Sequence, residues 1–173
     1  MPFLARIAVI GLAIASIIWA PVARSSDDVP PNIRIVELRQ TDAALRETYP
    51  KKKKMGLPRM VLLDANGHVL YGGMGLPNDL GARLHKALHN AKPLDTAITL
   101  DAILAETERA DGSHIALADL PKADAYVVDY WASWCAPCRM MSRDLKVIMS
   151  RTSDMQFVWL QIESDPDKLP DER

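Results

Sequence analysis

Apolar and polar positions switch between two periods along this chain, and the switches mark its elements. Residues 33–38 (IRIVEL) alternate with the period of two that suits a strand. Thr41 or Asp42 is placed to cap a short helix over 43–49, which Pro50 stops. Residues 60–64 (MVLLD) and 68–71 (HVLY) are β-rich runs on either side of Ala65-Asn66-Gly67. Asn-Gly between apolar runs predicts a hairpin, because both residues tolerate positive φ. Residues 72–77 read as a loop. From Asn78, a suitable N-cap, Leu80, Leu84, Ala87 and Leu88 recur on one helical face until Lys92-Pro93.

The second half continues the alternation of types. Residues 100–109 read as a helix ended by Asp111-Gly112, and 115–120 fit neither period. Residues 125–131 (AYVVDYW) form an apolar run short enough for a buried strand. Met141, Leu145, Ile148 and Met149 give helical spacing to 140–150, and 156–162 (QFVWLQI) is again strand-like. Ser164 to Asp167 then turn the chain. Strands interleaved with helices predict an α/β class.

Charge and composition narrow this picture by exclusion. The 173 residues are 49% hydrophobic and 25% charged, with a net charge of -1. That is ordinary for one globular domain. No basic stripe interleaved with aromatics points to nucleic acid. The first 25 residues stand apart. A short basic start precedes an uncharged apolar run over 7–20 (IAVIGLAIASIIWA), and Pro21 to Ser25 break it. This is the layout of a bacterial-type secretory signal cleaved after Ser25. Left uncleaved, the same run would serve as an anchor, although it is short of the ~20 residues of a membrane span. Either reading places the body, residues 26–173, outside the cytoplasm, with a periplasmic location as the expectation.

The only two cysteines, Cys135 and Cys138, sit between the 125–131 strand and the following helix. A helix N-terminus presents unpaired N–H groups and a positive dipole end, and both favour a thiolate. Cys135 is therefore the candidate nucleophile. Cys138, one turn inside, is the candidate resolving thiol. Pro137 fits the first helical turn, where its missing N–H is harmless. Two other readings stay open. A disulfide staple would close too small a loop to constrain the unfolded chain much. Two thiolates would also suit a soft ion such as Cu(I), but His68, His85, His89 and His114 have no metal-like spacing to the cysteines.

The run Val127-Val128-Asp129-Tyr130-Trp131-Ala132-Ser133-Trp134-Cys135-Ala136-Pro137-Cys138-Arg139 resembles the active-site strand and helix start of the thioredoxin superfamily. A strand ending Asp-aromatic-Trp-Ala-x-Trp, followed by C-x-P-C and a helix, is far more specific than a bare C-x-x-C. The resemblance extends to exported reductases of that type. It implies a thioredoxin-like α/β fold, a central mixed sheet flanked by helices. It also implies a thiol-disulfide oxidoreductase that reduces protein disulfides with no bound cofactor and no metal. Net oxidation or isomerisation, or a copper-binding or adaptor module, are the alternatives. Its partners would be disulfide-containing proteins and, outside the cytoplasm, a membrane thiol-transferring electron donor.

The family also has a cis-proline loop, a hairpin and a last helix after the cysteines. Here the resembling stretch, residues 55–69, comes before them. Residues 33–90 thus resemble the family's C-terminal half and 100–165 its N-terminal half. The expectation is a single circularly permuted domain joined through 92–99. Residues 33–38 and 156–162 both resemble the strand after the active-site helix; only one is expected to fit there, the other being an extra edge strand, a relic of a tandem ancestor or an element swapped in a dimer. A homodimer formed by strand or half-domain swapping is the competing way to use both.

The same resemblance assigns site residues. Asp129 should point inward beneath Cys138 as the buried acid that takes its proton. Trp159 falls near the place of a lysine that often accompanies this acid. Pro58, in the cis form, would set the Leu57 backbone against an incoming peptide. Trp134, Ala136 and Pro137 would add contact surface beside Cys135, whereas Trp131 reads as core. Arg59 and the lysines at 51–54 would bring positive charge nearby, or form an ordinary solvated loop.

Overall fold

A computed structural model describes residues 29–50 and 56–169; the N-terminal run and the lysines at 51–54 lie outside these. In chain order the elements are strand β1 (Ile33–Gln40), helix α1 (Asp42–Thr48), the hairpin β2 (Arg59–Asp64) and β3 (Val69–Met74), and helix α2 (Leu80–Asn90). Helix α3 (Leu100–Ala105), the short strand β4 (Thr107–Glu108), β5 (Ala125–Trp131), α4 (Ala136–Arg151) and β6 (Phe157–Glu163) follow. Thr41 does cap α1, accepting a hydrogen bond from the Ala44 amide on its hydroxyl.

Three element boundaries differ from the sequence expectation, each for a tertiary or local reason. The helix expected from Asn78 starts at Leu80 with Asp79 at its N-cap. Asp79 does not cap through its side chain, because its carboxylate holds Arg83 at 2.7 Å. The helix expected over 100–109 stops at Ala105, since Thr107 and Glu108 pair with Gln40 and Arg39 on the outer edge of β1. Strand β3 runs on through Gly72 and Gly73, which pair with Val61 and Met60 of β2. Backbone pairing needs no side chain, so glycines that read as loop are recruited into the ladder.

The strands form one mixed sheet in the order β3-β2-β5-β6-β1-β4. β5 with β6 and β6 with β1 are parallel, and the remaining pairs are antiparallel. Of 33–38 and 156–162, only one takes the place beside the active-site strand, and the other is an extra strand of the same sheet. They lie side by side, Ile33 opposite Phe157 and Leu38 opposite Ile162. β6 takes the place next to β5, and β1 continues the sheet beyond it. Asn32 pins the start of β1: its side-chain amide donates to the carbonyls of Met149 at 3.0 Å and of Thr152 and Met155 at 3.2 Å. Met149 and Thr152 lie at the C-terminal end of α4, and their carbonyls, which also accept the Thr152 and Met155 amides, gain a second donor from Asn32.

Both faces of the sheet are covered, which explains the almost unbroken apolar reading of β5. Tyr126, Val128 and Tyr130 face a cluster with Leu100, Ile103 and Leu104 of α3. Ala125 and Val127 face Leu84 of α2 and Met141 and Leu145 of α4. Strand alternation therefore turns Asp129 toward the α4 side. The joining stretch after α2 runs back past the hairpin: the Leu94 amide donates to the Val69 carbonyl at 2.7 Å, and His68 bridges to Thr99. Gly67, with φ +81°, makes that approach feasible. A Cβ there would lie 3.0 Å from the Leu100 Cβ.

Candidate active site

Strand β5 ends at Trp131, and after a tight turn Cys135 becomes the N-cap of α4. The Cys138 amide donates to the Cys135 sulfur at 3.2 Å, the type of contact that stabilises a thiolate at that position. Pro137 sits in the first turn of α4, where no backbone donor is lost. The two cysteines are joined as a disulfide, with Cα atoms 5.3 Å apart. Both cysteines are buried, Cys135 at 3% residue exposure and Cys138 at 1%. Access to Cys135 would thus come from its surroundings, and Ala136 and Pro137 are the exposed residues beside it.

The upstream segment reaches this pair. Pro58 follows a cis peptide bond from Leu57 and is buried. Leu57, with Trp131 and Trp134, packs against the cluster of Ala132, Cys135 and Cys138. Pairing of β2 with β5 brings it there, since Arg59 lies opposite Tyr130 and Met60 opposite Asp129. Arg59 itself turns to the far face, its guanidinium 3.9 Å from the centre of the Tyr130 ring. Burial pushes the Tyr130 hydroxyl pKa up, and Arg59 partly offsets this.

Asp129 is fully buried, and its pKa is raised to about 6. Burial is the main cause. The Ser142 hydroxyl first, and then the nearby Trp159 indole N–H, oppose it. The Ser142 hydroxyl donates to Oδ2 at 2.6 Å. The Trp159 indole N–H lies on the same side without closing a hydrogen bond, so Oδ1 and the indole nitrogen are both buried and unpaired. An indole N–H can soften the burial of a carboxylate but brings no charge to it. Asp129 thus has the proton affinity of a group that can take and return a proton near neutral pH.

Trp134 is half-buried, and its indole is held in place. Asp165, in the turn after β6, accepts from Trp134 Nε1 at 2.9 Å and from the Ser133 hydroxyl at 3.0 Å. Trp131, read as core, is only partly buried. Sequence reasoning missed Ser142 and Asp165. Ser142 was within reach of a spacing argument, because it lies one helical turn beyond Cys138 on the same face. Asp165 had no local signal beyond its turn. Among the described residues no cluster of three or more His, Cys, Asp or Glu side chains could hold a metal ion.

Comparison with known proteins meets this geometry at the cysteines. Residues 114–171 match the Thioredoxin family profile. This stretch, which holds β5, both cysteines, α4 and β6, is similar to the thioredoxins. The chain is similar to Thioredoxin of Streptomyces clavuligerus, 38% identical over 50 residues that cover 28% of this chain and 47% of the relative. Thioredoxin H2 of Arabidopsis thaliana is 42% identical over 41 residues, covering 24% and 31%. Thioredoxin-3, mitochondrial, of Saccharomyces cerevisiae is 36% identical over 44 residues, covering 25% and 35%. The chain spans less than half the length of each of these relatives. No solved structure matches it. The mixed sheet flanked by helices agrees with the thioredoxin-like fold expected from the sequence.

Proposed function

We propose that this chain is a thiol-disulfide oxidoreductase that reduces protein disulfides through Cys135 and Cys138. The observation that carries the reading is a cysteine pair at the N-terminus of α4, with a fully buried carboxyl of raised pKa held by Ser142 one turn beyond Cys138 on the same helix. In the reduced protein, the Cys135 thiolate attacks one sulfur of a substrate disulfide. The new S–S bond joins Cys135 to the substrate, and the other substrate sulfur leaves as a thiolate. Asp129 takes the proton of Cys138. The Cys138 thiolate then attacks the Cys135 sulfur, forms the Cys135–Cys138 disulfide and expels the second substrate thiolate. Two electrons pass to the substrate, and two protons make its thiols.

Leu57, Trp134, Ala136 and Pro137 form the surface that receives the substrate chain in this reading, with buried Pro58 setting the Leu57 backbone toward it. The cis Leu57-Pro58 segment lies before the cysteines in sequence and beside them in space, which supports a domain whose halves come in permuted order. The apolar run over 7–20 supports export to the periplasm, where a membrane thiol-transferring protein would return electrons to the pair. The test is reduction of a protein disulfide with a small dithiol as electron source. Wild type should turn over and Cys135→Ser should not; full activity in that variant would sink the proposal. Direction is read from the reduction potential. A value about -270 mV supports net reduction, and one about -120 mV would reassign the chain to net oxidation.

A further inference from the structure

A groove of about 970 Å³ opens beside the disulfide, on the face of the sheet that carries Asp129. Its walls include Cys138 and Ser142 of α4, Trp159 and Gln161 of β6, and Ile35 and Glu37 of β1. Asp129 does not line it. The carboxylate is sealed, and the described group hydrogen-bonded to it is the Ser142 hydroxyl, which does line the groove. A hydroxyl can donate and accept at once, whereas an indole N–H only donates. Of the two polar side chains against Asp129, Ser142 alone can therefore pass a proton outward.

We propose that Ser142 is a positioning residue for the resolving step, holding Asp129 in place and handing its proton to water in the groove between α4, β6 and β1. The inference rests on the dithiol reading above. When Cys138 loses its proton to Asp129, the carboxyl gains an O–H. That O–H donates to the Ser142 oxygen, and the Ser142 O–H turns to groove water. The proton leaves as the hydroxyl regains one, so Ser142 ends unchanged. Without it the carboxyl keeps two unpaired oxygens and has no polar contact with the groove.

Charged groups set the background for this transfer. Arg139, Arg143 and Lys146 from α4 and Glu37 from β1 face the groove. Gln161 from β6 and Met60, the β2 partner of Asp129, bring no charge. The shift of the Asp129 pKa has burial as its first cause and the Ser142 hydrogen bond as the first opposing one. Loss of the hydroxyl must therefore raise the proton affinity of Asp129 further.

The test compares wild type, Ser142→Ala, Ser142→Thr and Asp129→Asn. The first readout is the pH dependence of substrate release from a preformed mixed disulfide. Ser142→Ala should move the midpoint upward and slow release several-fold, Ser142→Thr should restore both, and Asp129→Asn should abolish the titration. The second readout needs no turnover: the Asp129 carboxyl is titrated by infrared spectroscopy in the oxidised protein, with thermal unfolding as a check on folding. Active wild type with superimposable Ser142→Ala profiles and titrations overturns this inference alone. Turnover that survives Cys135→Ser overturns the dithiol reading, while an unmoved infrared midpoint in Ser142→Ala still overturns the role of Ser142.

Discussion

Met60 of β2 and Asp129 of β5 are direct partners across an antiparallel ladder, although one comes early in the chain and the other late. Their pairing brings the Leu57-Pro58 bend to the cysteines and closes one side of the Asp129 pocket with an apolar side chain. Met60 is buried, so the carboxylate meets a wall that cannot solvate it. This explains why its pKa rises and does not merely vary.

That pocket has a cost in stability with a definite sign. The folded-state pKa of Asp129, about 6, lies above its ordinary value of 3.8. The folded protein therefore binds more protons than the unfolded chain between those values, and its stability falls as pH rises through them. Above about pH 6 the full penalty is present. Asp129→Asn should remove it, raising stability at pH 7 by on the order of 2 kcal/mol and by little at pH 3. Urea unfolding at both pH values checks this. An equal effect at the two would show that the gain comes from packing and not from charge.

Removal of the resolving thiol should separate the two chemical steps. Cys138→Ser leaves Cys135 at the N-cap but takes away the sulfur that expels the substrate. A mixed disulfide with a protein substrate should accumulate, seen as a thiol-sensitive mass increase of one substrate per chain. The same treatment of Cys135→Ser should leave no adduct. A staple reading predicts no adduct for either variant.

Asn32 carries a structural prediction. Its amide serves three carbonyls near the junction of α4 and β6 from inside the fold. Asn32→Ala removes this shared donor while the Met149 and Thr152 carbonyls keep their backbone partners, and should cost about 1 kcal/mol, with no change in the reduction potential. Denaturant unfolding and a redox titration together check the pair of outcomes. A shifted potential would mean that the α4 C-terminus communicates with its cysteine end.

The parts of this architecture that were legible in the sequence are those governed by local rules. Alternation located β1, β5 and β6, Thr41 announced the α1 cap, and Asn66-Gly67 announced the hairpin turn. The Trp134-Cys135-Ala136-Pro137-Cys138 run carried the site because a strand end and helix start constrain it locally. What failed depends on distant partners. Leu100 to Arg109 has helical spacing throughout, but the edge of β1 offers hydrogen bonds that Thr107 and Glu108 take instead. Which of 33–38 and 156–162 takes the place beside β5, and which becomes the extra strand, was not legible either, because that depends on neighbours and not on either strand. Asp165 is the extreme case. Its turn sequence was plain, yet its partners lie more than thirty residues back.

Asp165 also supports the last prediction. It is almost fully buried, accepting from Trp134 Nε1 and the Ser133 hydroxyl, and its carboxylate also takes the Asp167 amide at 3.1 Å. The carboxylate thus fixes the tryptophan that precedes Cys135 without touching either sulfur. Asp165→Ala takes the carboxylate away from three donors and loosens the indole, at a cost of roughly 1–3 kcal/mol. If Trp134 receives the substrate chain, its release should raise KM for a protein disulfide several-fold. Reduction of a small aromatic disulfide, which needs little surface, should be almost unchanged. Trp134 emission should shift to the red as the ring gains water. Equal losses for the two substrates would instead place Asp165 in the scaffold of the cysteine turn, and Trp134 would lose its assignment as contact surface.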